Sequence, residues 1–82
     1  MSTINKTTDG ATTFATHDSS VIARTAYAAN AKTLGVKFNN GSAYLYFDVP
    51  QTIYEVLCDA ESTGKYFNTA IRDCYKFMKL AA

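Results

Sequence analysis

The sequence predicts a small α+β domain in which a three-stranded antiparallel β-meander is followed by two helices packed on one face. Three observations support this fold class. Apolar residues alternate on both sides of an Asn-Gly pair, a proline follows the last predicted strand, and two later segments carry apolar residues at helical spacing. With 82 residues, the chain has room for one hydrophobic core.

The first 18 residues are predicted to be a flexible arm. They are rich in threonine and carry only two sizeable apolar side chains after the start, Ile4 and Phe14. This is too little apolar surface to offset the entropy lost on ordering the segment. We therefore expect a Thr-rich arm over residues 1–18 and a single domain over residues 19–82, with residues 11–16 as a candidate additional edge strand.

Residues 21–27 predict the first strand of the meander. A four-residue connection to the next strand would direct Val21, Ala23 and Thr25 toward the core, and Ile22 and Arg24 to the opposite face. A β-bulge in this strand is an equal alternative, and it would change the direction of some side chains. The sequence leaves the direction of Arg24 open.

Residues 33–49 predict a hairpin. Asn40-Gly41 is a preferred pair for a two-residue turn, because both positions need a positive φ. A two-residue turn pairs Lys37 with Tyr44 and directs Leu34 and its alternating apolar neighbours into the core. Lys37, Tyr44 and Tyr46 are then expected together on the open face of the sheet.

Two helices are predicted after the sheet. Pro50 suits the first position of a helix, where its missing N–H would be unpaired in any case. The first helix has the apolar stripe Ile53, Val56, Leu57 and Ala60. Ser62 is a good N-cap for the second helix. The stripe of the second helix is Phe67, Ile71, Cys74 and Met78.

Composition and charge exclude several function classes. Eight basic and seven acidic residues leave a net charge of +1, too small to hold duplex DNA by bulk electrostatics. No apolar run has the length of a membrane span and no signal peptide is visible, so we expect a cytoplasmic protein without a membrane partner. One histidine, His17, and two separated cysteines offer neither a catalytic pair nor a metal-ligand set. We expect a protein that is not an enzyme and that binds no metal or cofactor.

Two motifs suggest a family. The first is the Tyr44-Leu45-Tyr46 triplet followed by Val49-Pro50, and the second is Ser62-x-Gly64-x-x-Phe67-Asn68 with Ile71-Arg72. Together they make the segment from Ser19 to Tyr75 resemble the KTSC domain. That domain is a short module found alone in bacterial and phage proteins and at the C-terminus of some lysyl-tRNA synthetases. The resemblance implies the fold and suggests RNA as a partner, although the family has no settled activity.

The predicted open face is the first candidate site. Tyr44 and Tyr46 would lie on neighbouring pleats, with Lys37 across from Tyr44. Aromatic sheet faces of this kind bind single-stranded RNA, because bases stack on the rings while cations contact phosphate. Two other interpretations stay open: cross-strand pairs that stabilise a solvated face, and a dimer or partner interface.

The start of the second helix is the other candidate site. Ser62, Gly64 and Lys65 precede Arg72 by two turns or more, and a helix N-terminus attracts phosphate or another anion. The alternative is an ordinary N-cap followed by a solvated basic face. The glycine spacing does not match a phosphate-binding loop.

These observations predict a small binding module that holds RNA through an exposed Tyr/Lys sheet face and the basic second helix. One alternative is a protein-interaction module, either a homodimer or a phage-encoded inhibitor of a host protein. The other is a module that binds a small nucleotide ligand.

Overall fold

Six antiparallel strands lie side by side in the order of the sequence, and two helices separate the fifth strand from the sixth. The computed structural model describes residues 3–17 and 19–80, with side chains from residue 7 onward. The elements are β1 (Thr3–Asp9), β2 (Thr12–His17), β3 (Ile22–Ala28), β4 (Thr33–Phe38), β5 (Ala43–Tyr46), α1 (Gln51–Asp59), α2 (Thr63–Ala70) and β6 (Phe77–Leu80).

The α+β class is confirmed, but the three-stranded meander is wrong. The described part of the predicted arm forms β1 and β2, and β2 pairs with β3 from Thr12 opposite Ala28 to Thr16 opposite Arg24. Threonine is β-branched and favours extended backbone, so a run of threonines can extend a sheet without supplying much core. Within β2, Ala15 and His17 are buried, whereas Phe14 and Thr16, which alternate with them, are exposed.

The second helix is also shorter than predicted. It ends at Ala70, and the chain returns to pair β6 with the free edge of β5. Cys74 is therefore exposed in the connection, and Met78 lies on a strand rather than on a helical stripe. Apolar residues at steps of three and four do not mark where a helix ends, whereas an unpaired edge strand offers hydrogen bonds to the returning chain.

The turn between β4 and β5 contains three residues instead of two. The N–H of Phe38 donates to the carbonyl of Ser42 at 2.8 Å, which leaves residues 39–41 as the loop, and Gly41 has φ +93. Three-residue hairpin loops with a left-handed final residue are a common alternative to two-residue turns. Leu34 consequently pairs with Tyr46, one position away from the predicted register.

This one-residue shift moves both tyrosines of the Tyr44-Leu45-Tyr46 triplet to the other face. Tyr44 and Tyr46 lie on the helix-covered side of the sheet, and Tyr46 is only 3% exposed. Lys37 stays on the open face, where it pairs with Ala43. The prediction of an exposed sheet face carrying Lys37, Tyr44 and Tyr46 together is therefore wrong.

A β-bulge in β3 settles the direction of Arg24. Ile22 pairs with Phe38, but Arg24 pairs with Lys37, so Ala23 is the extra residue. Ile22 is fully buried on the helix side, while Arg24 is exposed on the open face beside Lys37. The connection to β4 spans residues 29–32, and Thr25 is buried as the four-residue connection predicted. The same prediction is wrong for Ile22, which the bulge keeps in the core, and for Val21, which is exposed.

The two helices cover one face of the sheet. Tyr54 of α1 stacks on Tyr27 of β3 with ring centroids 5.1 Å apart, and Phe67 of α2 meets the ring of Tyr46 edge-on at 5.3 Å. In α1 the prediction is only partly right, since Leu57 is buried but Val56 is exposed. Pro50 is the N-cap residue of α1, one position before its first helical residue.

A buried polar chain crosses the core between the sheet and α1. The ring Nε2 of His17 lies 2.8 Å from the Thr25 hydroxyl, which lies 3.0 Å from the hydroxyl of Tyr54. The Tyr27 hydroxyl donates to the carbonyl of Val49. Burial lowers the pKa of His17 and raises the pKa of Tyr54 and of Tyr27, so the neutral form of each group is favoured inside the fold.

We predict that acidification below the ordinary histidine pKa destabilises the protein through His17. Because burial lowers the pKa of His17 in the folded state, the unfolded chain binds more protons than the folded chain near pH 6 and below. The free energy of unfolding therefore decreases as the pH is lowered. Urea unfolding at about pH 7.5 and about pH 5.5, on either side of the ordinary histidine pKa, measures this loss.

His17 is the single histidine of the chain, so His17→Gln gives a clean control. The variant should lose much of the pH dependence in this window, even if its stability at neutral pH is lower. Equal pH dependence in the two proteins would contradict the assignment.

Candidate functional site

The sequence-predicted site residues fall into three places. Tyr44, Tyr46 and Arg72 line one groove on the helix side. Ser62, Gly64 and Lys65 line a second groove around the start of α2. The two grooves adjoin, because Val21 and Asn68 line both, whereas Lys37 lies on the opposite face of the sheet.

The first of these, here called the aromatic groove, has a volume of about 450 Å³. Its inner wall is a cluster of five rings in mutual contact: Phe38, Tyr44, Tyr46, Phe67 and Phe77. Neighbouring centroids lie between 5.3 and 6.4 Å apart, within the range of favourable aromatic contacts. The cluster is thus one continuous aromatic surface.

The exposed fraction of the rings increases along this surface. Tyr46 and Phe67 belong to the core, Tyr44 is half-buried, and Phe77 is 56% exposed. The ring centroid of Phe77 lies 5.8 Å from that of Tyr44 and equally far from that of Tyr46. A core-anchored aromatic stack therefore reaches the surface at Tyr44 and Phe77.

Polar and charged groups surround the exposed rings. Arg72, Asn68 and Asp73 line the groove, and all of them are exposed. Lys79 pairs with Tyr44 across β5 and β6, so it lies on the same face of the sheet. The surroundings of the two exposed rings thus combine cations with a hydrogen-bonding amide and one carboxylate.

The end of α2 positions Arg72. The backbone N–H groups of Ile71 and Arg72 both donate to the carbonyl of Phe67, at 3.0 and 2.9 Å. This tight turn closes the helix and fixes the chain beside the aromatic cluster. Burial raises the pKa of Tyr46, with Tyr44 adding to the rise and Arg72 opposing it, so a neutral phenol faces the guanidinium.

The groove at the start of α2 is smaller, at about 360 Å³. The Ser62 hydroxyl accepts a hydrogen bond from the Lys65 N–H at 3.3 Å, which confirms Ser62 as the N-cap. Gly64 is buried against Val21, where an added Cβ would lie 3.1 Å from the Val21 Cβ. Close packing therefore accounts for Gly64, and the groove is lined by one charge of each sign, Lys65 and Glu61.

Sequence reasoning missed Phe77, the most exposed ring of the cluster. The register error and the overlong second helix both hid it, because Phe77 contributes only once β6 pairs with β5. An available signal was the alternation of Tyr75 and Phe77 with Lys76 after Arg72, which is typical of a strand.

The chemistry of the remaining groups is limited. Cys58 is buried and Cys74 is exposed, and neither of these two cysteines is in a disulfide. Within residues 3–17 and 19–80, no three His, Cys, Asp or Glu side chains come together as a metal site. None of the described helices has the length and apolar character needed to cross a membrane.

Comparison with known proteins identifies the family. The sequence model of the KTSC domain matches residues 18–75. The chain belongs to the KTSC domain family. Its match is to a small module and not to a known catalytic family, and a KTSC domain protein from Yersinia pestis has the same fold. That structure superposes with a TM-score of 0.79 at 25% identity, covering 87% of this chain and 100% of the other.

Relatives of this KTSC domain include both longer and similarly short proteins. The lysine–tRNA ligase of Nostoc punctiforme is 39% identical over 64 residues, which are 78% of this chain and 11% of the ligase. The ligase of Trichormus variabilis is 40% identical over 55 residues, covering 67% of this chain and 10% of the ligase. A protein of Tsukamurella paurometabola is 32% identical over 63 residues, covering 77% of this chain and 94% of that protein. The chain thus spans about a tenth of the length of the ligases it matches.

We predict that Gly64→Ala destabilises the domain by about 1 kcal/mol. The added methyl group would crowd Val21, and such overpacking typically costs about 1–3 kcal/mol, partly offset by the better helix propensity of alanine. Urea unfolding measures the change. Val21→Gly removes both crowded atoms, the Val21 Cβ and Cγ2, so Gly64→Ala should cost less in that background; an equal cost in both backgrounds would contradict the packing role.

Proposed function

We propose that this KTSC domain is a non-enzymatic module that binds single-stranded RNA in the aromatic groove. The observation that carries the proposal is the pair of surface rings, Tyr44 and Phe77, which stand on a buried aromatic cluster beside Arg72 and Lys79. Bases would stack on the exposed rings, and the cations would contact the phosphates that connect them.

The rigidity of the rings supports this function. Tyr44 touches Phe38 edge-on and Phe77 obliquely, so little side-chain entropy is left to lose when a base stacks on it. Stacking of a base on an aromatic side chain is worth about 1–3 kcal/mol. Two such rings suit a short stretch of bases better than a duplex, whose bases are already stacked.

The charge distribution supports the same surface. From Thr63 onward the chain carries Lys65, Arg72, Lys76 and Lys79 against the single acid Asp73. Lys65 lines the adjoining groove, which meets the aromatic groove at Asn68 and also contains Glu61. Because the net charge of the whole chain is only +1, we expect modest affinity and a strong dependence on salt.

The relatives point to the same class of partner. Lysine–tRNA ligases, as their name states, act on a tRNA, and a segment of about 10% of their length matches this chain. An RNA-contacting module is one role that such a segment can have inside a ligase. In this proposal Lys37 has no part, since it lies on the far side of the sheet.

Fluorescence anisotropy with labelled short oligoribonucleotides at low salt tests the proposal. Phe77→Ala removes an exposed ring that the core does not need, and we expect it to weaken binding about tenfold, the value of one stacking contact. Arg72→Glu should weaken binding at least as much and reduce the slope of affinity against salt.

Lys37→Glu is the matched control for charge. It makes the same charge change as Arg72→Glu, but on the opposite face of the sheet. Because distant surface charges are screened, the affinity of this variant for RNA should stay within about twofold of that of the unsubstituted protein. Absence of saturable binding at low salt, or equal loss in both charge variants, would contradict RNA binding in the groove. Binding of mononucleotides with the same affinity, or of a protein partner in place of RNA, would favour one of the two alternative functions.

A further inference from the structure

The face of the sheet without helices forms a trough. Its lining runs through all six strands, from Thr7 on β1 to Leu80 on β6, so the sheet curves around it. The trough has a volume of about 520 Å³. This volume lies in the range of sites that bind small molecules, about 300–1,000 Å³.

The trough has an apolar floor. Three of the residues that line it are small: Ala26, Gly35 and Ala43. Two of these small residues pair with larger ones on the neighbouring strands: Leu45 on β5 is the partner of Gly35, and Phe14 on β2 is the partner of Ala26. Phe14 is 48% exposed, so apolar surface remains uncovered.

Two cations lie beside this floor. Arg24 and Lys37 are direct partners on β3 and β4, both are exposed, and both line the trough. Like charges directly opposite each other destabilise a sheet. The described lining contains no aspartate or glutamate to offset them. An anion held between the two side chains would convert this repulsion into attraction.

The backbone itself places Arg24 here. Without the bulge at Ala23, Arg24 would share a face with Ile22, which is fully buried under the helices. The bulge keeps Ile22 in the core and turns Arg24 outward beside Lys37. Bulges commonly redirect a side chain at a functional site, and this bulge brings two cations to one apolar trough.

We propose that the trough binds a small anionic amphiphile, namely a fatty acid. Its carboxylate would contact Arg24 and Lys37, and its alkyl chain would lie over Ala26, Gly35 and Leu45. A second copy of this chain suits the trough less well, because it would bring the same two cations. A nucleic acid suits it less well too, because among the described lining residues only Phe14 and Tyr44 are aromatic, and the strand register directs the Tyr44 ring to the helix side.

Titration with dodecanoate, followed by methyl NMR, tests the proposal. We expect saturable shifts of the methyl signals of Ala26, Ala43 and Leu45, and smaller shifts for Leu57 in the core. Dodecan-1-ol, which lacks the charge, and dodecyltrimethylammonium, which reverses it, should bind at least tenfold more weakly, as the loss of a charged hydrogen bond predicts. Each methylene removed from the fatty acid should weaken binding up to about fourfold.

Variants on each face distinguish the two sites. Arg24→Glu combined with Lys37→Glu should abolish dodecanoate binding, and Ala26→Leu or Ala43→Leu should weaken it by filling the trough. Arg72→Glu, on the helix side, should leave dodecanoate binding unchanged. Because Arg24 and Lys37 are exposed, the double charge variant should fold, which circular dichroism verifies.

Three outcomes would overturn the proposal. The first is no saturable shift with dodecanoate. The second is equal binding of dodecyltrimethylammonium, and the third is full binding by the Arg24→Glu and Lys37→Glu double variant. Failure of RNA binding in the aromatic groove leaves this proposal untouched, since the two sites share no charged side chain.

Discussion

The hydrogen bonds of the turn at residues 39–41 determine which side chains meet on each face of the sheet. Gly41 takes a positive φ, and the N–H of Phe38 donates to Ser42, so three residues rather than two connect β4 to β5. In this register Tyr44 and Tyr46 join the rings of Phe38 and Phe67 under the helices. In a register shifted by one residue, both tyrosines would point to the opposite face and the aromatic cluster would not form.

The same register leaves the opposite face free of large aromatic rings at its centre. Where the tyrosines are absent, Gly35, Ala26 and Ala43 form a shallow floor, and Lys37 meets Arg24. Alternation of side chains along a strand thus gives one sheet two chemically different surfaces. One is aromatic and closed by helices, and the other is aliphatic with a pair of cations.

Much of the architecture could be predicted from local signals. The hairpin around Gly41, the Ser62 N-cap, the buried Thr25 and the α+β class all follow from short-range preferences that the structure retains. The turn length could not be predicted, because Asn-Asn-Gly suits loops of two and of three residues. β2 was anticipated only as a candidate edge strand over residues 11–16, and β1 and β6 were not predicted, since a threonine-rich segment and a short aromatic segment become strands only when a sheet edge is present to pair with them. The prediction of the site was affected most: Tyr44 and Arg72 were named at two separate candidate sites, whereas the structure brings them to one groove, and Phe77, which completes that groove, depends on β6.

Strand order that follows sequence order has a consequence for folding. Strands β1 to β4 are each joined by a short connection to the next strand, with which they pair, whereas β5 and β6 pair although both helices separate them in the sequence. Closing that longer loop costs more chain entropy than closing the hairpins. Pairing of β6 is therefore the last step we expect in assembly, after α1 and α2 have packed. Phe77, the outer ring of the aromatic groove, then joins the other rings only after the core has formed. The complete groove is therefore present only in the fully folded protein.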